Sequence, residues 1–265
     1  MILEGKKVLV SGVLTPASIA FAIADLAQRE GAEIVLTSFG RAMSLTERSA
    51  RRMNPVPDLL EMDVNDPGQV ESVARTLQER WDRLDGFVHA IAYAPPDALG
   101  GNFLSAPWES VEMAFKTSAY SLKAMAQAFL PLMREHGGSI VTLDFDNSTQ
   151  AWPVYDWMGV CKAALESVTR YLARDLGPHR VRVNALAAGP LDTMAAKGIP
   201  GFEYFRDSWA RRSPLGWKTT DRTPVARTAC VLLSDWLPAT TGEIVHVDGG
   251  YHAMGAELAA TQPPD

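Results

Sequence analysis

The sequence predicts a single-domain α/β fold: a doubly wound parallel sheet of about seven strands, with helices on both faces. Three observations carry this. Short runs rich in valine, leucine and isoleucine alternate with longer stretches of helical apolar spacing along nearly all of the 265 residues. The first strand, Lys7–Ser11, enters a glycine turn and then a helix. Chemistry-bearing residues follow directly after the strands, and sheets of this kind bind ligands at the carboxyl ends of their strands.

After Gly12, a helix runs to about Glu30, with Ser18 near its start and Ile19, Ala22, Ile23, Leu26 and Ala27 at helical spacing. Backbone N–H groups and the positive end of such a helix can cradle a pyrophosphate. The spacing is not G-x-G-x-x-G, so a plain strand-to-helix turn explains Gly12 as well. The second strand, 32–38, ends at Phe39-Gly40-Arg41, with no acid there to accept from a ribose 2′-hydroxyl. Phe39 suits stacking on adenine and Arg41 suits a 2′-phosphate, so these residues leave NADH and NADPH both open. In the third strand, 59–64, Asp63 either accepts from an adenine amino group or simply ends the strand. Asp66 and Pro67 start a helix that runs to Trp81. The fourth strand, 84–91, continues through Ala92 and Tyr93, and the small Ala90 and Ala92 permit close approach of a nucleotide.

Residues 108–133 read as one long helix whose apolar side holds Met113, Leu122, Met125, Ala126 and Phe129. That side is expected to pack on the sheet or a partner subunit. The fifth strand, 138–143, ends at Asp144-Phe145-Asp146, and after a loop a helix spans 155–176. Residues 181–186 and 243–248 supply the last strands, with a helix at 223–233 before the seventh. The stretch 189–217 has no strand period and carries Gly198, Pro200, Gly201 and Pro214. Such a span reads as a lid, placed at about 191–216. Its Met194, Ile199, Phe202, Phe205 and Trp209 either line an apolar slot or anchor short helices. The domain is expected over 1–254, with a frayed tail at 255–265.

A net charge of −6 and the lack of a Lys/Arg cluster exclude a nucleic-acid partner; Arg48, Arg51 and Arg52 read as a solvated helix face. No apolar run approaches the ~20 residues needed to span a bilayer, and no signal peptide precedes the first strand, so a soluble cytoplasmic protein is expected. Cys161 and Cys230 sit in apolar helical contexts without C-x-x-C spacing and read as core thiols. No metal site is expected.

The helix at 155–176 opens with Tyr155, Met158 and Lys162, at i, i+3 and i+7. At about 100° per residue this puts a phenol, a thioether and an ammonium on one face. A phenol near a cation has its phenolate favoured, which suits a proton donor or oxyanion stabiliser. An ordinary amphipathic helix with a surface Tyr and Lys would show the same spacing.

Several segments together resemble the short-chain dehydrogenase/reductase superfamily, with its Rossmann-type fold, and within it the enoyl-[acyl-carrier-protein] reductases. The likeness is greatest to actinobacterial members of fatty-acid and mycolic-acid elongation, and it runs to about Met254. It is carried by 11–21, Leu143-Asp144-Phe145-Asp146, Tyr155-x-x-Met158-x-x-x-Lys162, 187–193 and 232–243. Carbonyl-reducing members of the superfamily have Tyr-x-x-x-Lys and a serine about a dozen residues earlier. Here Gly159 stands four after Tyr155, and Thr142 and Leu143 occupy the serine's neighbourhood. That points to an activated C=C bond rather than a ketone.

The resemblance implies hydride transfer to C3 of a trans-2-enoyl thioester, with Tyr155 stabilising the enolate and Lys162 holding the nicotinamide ribose. It places Phe145 beside nicotinamide and substrate, as a third catalytic position, and Met158 in the acyl pocket, to which the apolar stretch after Thr193 is expected to add Met194 and Ile199. Cofactor contacts are implied at Gly12, Ser18, Ile19, Phe39, Asp63, Val64, Ile91, Ala92, Lys162, Leu191 and Thr193. NADH is the implied cofactor, an acyl-carrier protein or coenzyme A the carrier, and a homotetramer built on helices 108–133 and 155–176 the assembly. Two departures stand out: Ala90 and Ala92 replace the usual Ser and Gly, and the segment after Thr193 looks short, which leaves acyl length open. A reductase of another unsaturated or carbonyl substrate, and a cofactor-binding regulator without turnover, are the alternatives.

Overall fold

The computed structural model describes residues 1–145 and 149–258. Seven strands form one sheet in the order β3-β2-β1-β4-β5-β6-β7. They are β1 (Lys7–Ser11), β2 (Glu33–Ser38), β3 (Asp58–Glu61), β4 (Gly86–His89), β5 (Gly138–Asp144), β6 (Val181–Ala188) and β7 (Ile244–Val247). Every neighbouring pair is parallel. The chain leaves β1 towards β2 and β3, then returns to the other side of β1 with β4. The strand order therefore reverses between β1 and β4, the point where such sheets open a ligand crevice.

Burial on both faces explains why the strands read as unbroken apolar runs. Val8, Val10, Ile34 and Leu36 join one core cluster, while Leu9 and Val35, one residue out of step, join the other. The first cluster is covered by α1 (Ile19–Arg29) and α9 (Thr223–Leu233). The second is covered by α3 (Pro67–Trp81), α5 (Ser121–Met133) and α6 (Asp156–Leu176). Between β2 and β3 lies α2 (Met43–Ala50), which carries exposed Arg48, with Arg51 and Arg52 exposed just beyond its end. Asp66 caps α3 as expected, accepting from the N–H groups of Gly68 at 2.9 Å and Gln69 at 3.3 Å.

The long helix expected over 108–133 is interrupted. It comprises α4 (Trp108–Phe115), a π-helical turn over Lys116–Tyr120, and α5. A π turn inserts a residue into the 3.6-residue period and rotates everything before it relative to everything after. Leu122, Met125, Ala126 and Phe129 are buried, while Met113, nine residues before Leu122 and so about 180° round even a regular helix, is 50% exposed. Met113 does not share their face.

The 189–217 stretch folds into α7 (Met194–Lys197) and α8 (Glu203–Arg212). Phe205 and Trp209 of α8 are buried, so the apolar residues do anchor short helices. The first part of the expected frayed tail is instead strapped to α8. Arg211 pairs with Glu257 at 2.6 Å, and the Leu258 N–H donates to Arg211 O at 3.0 Å. Residues 259–265, and Asp146 of the Leu143–Asp146 motif, lie outside the described residues.

Candidate active site

Tyr155 is the residue just before α6, with helical dihedrals of its own and its carbonyl accepting from the Met158 N–H at 3.0 Å. The side chains of Tyr155, Met158 and Lys162 are all buried. Tyr155 and Met158 join the aromatic cluster at the carboxyl edge of the sheet, while Lys162 turns to the backbone of β5. The Phe145 ring lies 5.2 Å from the Tyr155 ring and 5.5 Å from each of Trp152, Phe205 and Trp209. Ile199 is partly buried against this cluster. Met194 is 45% exposed and is not brought to it.

The electrostatics differ from the simple picture of a phenolate favoured by a cation. Burial raises the Tyr155 phenol far above its usual range, and the charge of Asp144 adds to the rise. Asp144 ends β5 and is itself buried. Tyr155 is therefore held as a neutral phenol, able to donate a proton or a hydrogen bond. Lys162 directs its ammonium elsewhere: Nζ donates to the Leu143 carbonyl at 2.7 Å. Burial lowers the Lys162 pKa, opposed by the charges of Asp144 and Cys161. Desolvation pushes the thiols up, Cys161 to about 11 and Cys230 to about 12, and both cysteines are free and buried. They are inert core residues.

The other residues expected to contact a dinucleotide follow the carboxyl ends of β1, β2, β3, β4 and β6. Gly12 has φ +85°, and a Cβ there would lie 2.0 Å from Ala90 O. Only glycine lets the two strand ends come this close. Ser18 Oγ accepts from the N–H groups of Leu14 at 3.1 Å and Thr15 at 2.9 Å, which fixes the turn. Ser18 makes no side-chain cap, so the first N–H groups of α1, beginning at Ile19, are free of a capping side chain. An uncapped helix start beside a glycine turn suits a pyrophosphate. Phe39 is 48% exposed at the end of β2, as a stacking platform requires. Asp63 accepts from the Asn65 N–H at 2.9 Å, and Val64 is buried next to it. Ile91 and Ala92 follow β4, with Ala92 exposed. Leu191 is buried, and Thr193 caps α7 by accepting from the Ala196 N–H at 3.0 Å. These residues fit a nicotinamide dinucleotide.

Four contributions were not read in the sequence. The end of β2 carries no acid of its own, but the parallel register sets Ser38 against Glu61 of β3. Glu61 Oε1 accepts from the Gly40 N–H at 3.2 Å, so a carboxylate does stand at the end of β2. Arg222 ties the dinucleotide turn to the start of the lid, donating to Ala17 O at 2.6 Å and also to Asp192 O. The π turn fastens two loops: Ser118 bonds the N–H and carbonyl of Tyr93, both at 2.9 Å, and Thr117 Oγ1 accepts from Asn65 Nδ2 at 3.0 Å.

The fourth is His89, fully buried at the end of β4. Its Nε2 lies 2.8 Å from Ser121 Oγ and its Nδ1 2.9 Å from Thr142 Oγ1. Ser121 spends its own proton on Thr117 O at 2.6 Å, so it must accept from His89 Nε2–H. That assigns the Nε2–H tautomer and leaves Nδ1 to accept from Thr142. Burial, with the nearby Lys162 charge, lowers the His89 pKa to about 3.

A seven-stranded parallel sheet with a dinucleotide crevice and a buried Tyr-Lys pair at its edge defines a short-chain nicotinamide-dependent reductase. A family profile described as "Enoyl-(Acyl carrier protein) reductase" matches residues 12–252. The enoyl-[acyl-carrier-protein] reductase [NADH] of Mycolicibacterium smegmatis is 45% identical over 263 residues, covering 94% of this chain and 97% of its own. That of Mycobacterium avium is 44% identical over 262 residues, covering 94% and 97%. That of Aquifex aeolicus is 39% identical over 254 residues, covering 96% and 94%. The chain belongs to the enoyl-[acyl-carrier-protein] reductase family.

Proposed function

We infer that this protein reduces the C2=C3 double bond of trans-2-enoyl thioesters with NADH, on an acyl-carrier protein or coenzyme A. The observation that carries this is the buried Tyr155 and Met158, packed with Phe145 at the carboxyl edge of the sheet, with buried Lys162 bonded to Leu143 O close by, in a chain of this family. A bound NADH supplies a hydride to C3 of the substrate. Tyr155, kept neutral by its surroundings, donates to the thioester oxygen and stabilises the negative charge that develops there. Lys162, braced by the Leu143 carbonyl, holds the nicotinamide ribose and so fixes the donor carbon against the substrate. Phe145 and Met158 wall the reacting end, and a proton from solvent or from Tyr155, replaced from solvent, goes to C2 and completes the saturated thioester. Loss of NADH absorbance with a medium-chain trans-2-enoyl thioester tests the reaction.

NADH over NADPH is supported by Glu61, whose carboxylate at the Gly40 N–H would repel a 2′-phosphate. Glu61→Gln keeps an acceptor and removes the charge. It is expected to improve kcat/KM for NADPH by roughly tenfold, with NADH little changed; an unaltered NADPH value would remove Glu61 from the selection.

The span 191–216 serves as the lid. Trp209 of α8 closes a cavity of about 10 Å³ with Phe145 and Trp152, so outward movement of α8 would open space beside Phe145. The homotetramer joins copies through α4, α5 and α6. A cavity of about 520 Å³ runs between these helices, beside half-exposed Phe115, Tyr120 and Tyr171. Light scattering at micromolar concentration should give four times the chain mass; a monomer would contradict this assembly.

A further inference from the structure

Tyr155 sits in a segment whose backbone is held out of its relaxed shape. Val154 before it has φ +63° and Asp156 after it has φ +43°. A β-branched residue leaves the left-handed region unless its surroundings hold it there. Tyr155 between them has φ −92° and is the one residue of the three whose side chain is buried.

The surroundings that hold it are the loop after β4. The Asp156 carboxylate accepts from two N–H groups of that loop through one oxygen, Gly101 at 2.6 Å and Asn102 at 3.0 Å. The Gly100 N–H donates to Val154 O at 2.9 Å. Trp157 Nε1 donates to Phe103 O at 3.0 Å, and the two rings stack with centroids 4.9 Å apart. Each residue flanking Tyr155 is thus fastened to residues 100–103. An acid in the first turn of α6 would favour the helix dipole wherever it pointed. This one instead spends its carboxylate on another segment, and those are charge-assisted bonds, the stronger kind.

We propose that Asp156 is a positioning residue: by clamping the 100–103 loop to the start of α6, it fixes the phenol of Tyr155 where the thioester oxygen is bound. The proposal rests on the reading of Tyr155 as the oxyanion donor. Asp156 is partly exposed and touches none of the reacting atoms, so it acts only through its neighbour. Losing the clamp releases Val154 and Asp156 towards ordinary dihedrals and shifts the phenol between them. A displacement of about 1 Å in a catalytic group can cost up to about a hundredfold in rate.

The test compares Asp156→Ala, Asp156→Asn and Tyr155→Phe in steady-state assays with NADH and a medium-chain trans-2-enoyl thioester, alongside thermal melts and NADH titrations. Asp156→Ala is expected to lower kcat by roughly 10- to 100-fold. The NADH dissociation constant should stay put and the melting temperature fall by no more than about 4 °C. Asp156→Asn keeps an acceptor oxygen and should recover most of the turnover. Wild-type kcat in Asp156→Ala, with Tyr155→Phe impaired in the same assay, overturns the proposal and leaves the reading of Tyr155 standing. Equal losses of kcat, NADH affinity and melting temperature in both Asp156 variants also overturn it, since a merely structural residue behaves that way. Wild-type turnover in Tyr155→Phe would remove the reading beneath it.

Discussion

Tyr155→Phe should lower turnover of a trans-2-enoyl thioester by roughly 10²- to 10³-fold, the usual cost of losing one oxyanion donor in a dry site. The substitution removes a hydroxyl and keeps the ring, so the edge contacts with Phe145 at 5.2 Å and Phe205 at 5.8 Å persist. Fold and NADH affinity should therefore survive. The loss should be flat from pH 6 to 9. Burial and the Asp144 charge raise the Tyr155 pKa, so the phenol stays protonated throughout that range and no titration of it appears in the rate. Stopped-flow fluorescence of bound NADH separates binding from chemistry. Undiminished turnover would show that the thioester oxygen is stabilised elsewhere.

The second large effect is on stability. His89 is ordinarily near 6.5 when exposed by unfolding and is lowered to about 3 in the fold, by burial first and then by Lys162. Between those values the unfolded chain binds a proton that the native protein refuses, so stability falls as pH falls. Each pH unit below 6.5 should remove about 1.4 kcal/mol through this group alone, and nothing should be lost above it. Urea titrations at pH 7, 6, 5.5 and 5, at one protein concentration, measure the slope. His89→Gln should be less stable at pH 7, because Ser121 and Thr142 lose their ring partner, yet its stability should depend less steeply on pH. Equal slopes in both proteins would mean that His89 is not the acid-sensitive group.

The strands and most helices were legible because burial on both faces of a parallel sheet writes them as apolar runs, and one-sided burial writes the helices as 3.6-residue repeats. Gly12, Tyr155, Met158 and Lys162 were legible for a local reason: each carries a chemical or conformational demand at a short fixed spacing. What stayed hidden depended on register and rotation. Glu61 reaches the end of β2 only because β3 pairs in parallel with Ser38 opposite it. Met113 does not belong with Leu122, Met125, Ala126 and Phe129 because it stands nine residues before Leu122, about 180° round even a regular helix, before the π turn is counted. His89 looked like one more strand residue in Gly86–His89 until Ser121 and Thr142 were found on its two nitrogens. Asp156 lay inside the recognised signature, yet its partners come from a loop more than fifty residues earlier in the chain.

The central claim is reduction of an activated C=C bond. The measurement that tests it most directly is NADH consumption with a medium-chain trans-2-enoyl thioester, run beside the matching 3-ketoacyl thioester. Turnover of the enoyl substrate alone is the expected result, with the saturated thioester as product. Turnover of the ketoacyl substrate alone would mean that the seven-residue step from Tyr155 to Lys162 does not separate the two reactions. Silence with both, despite tight NADH binding, would contradict an enzymatic role and favour a cofactor-binding regulator.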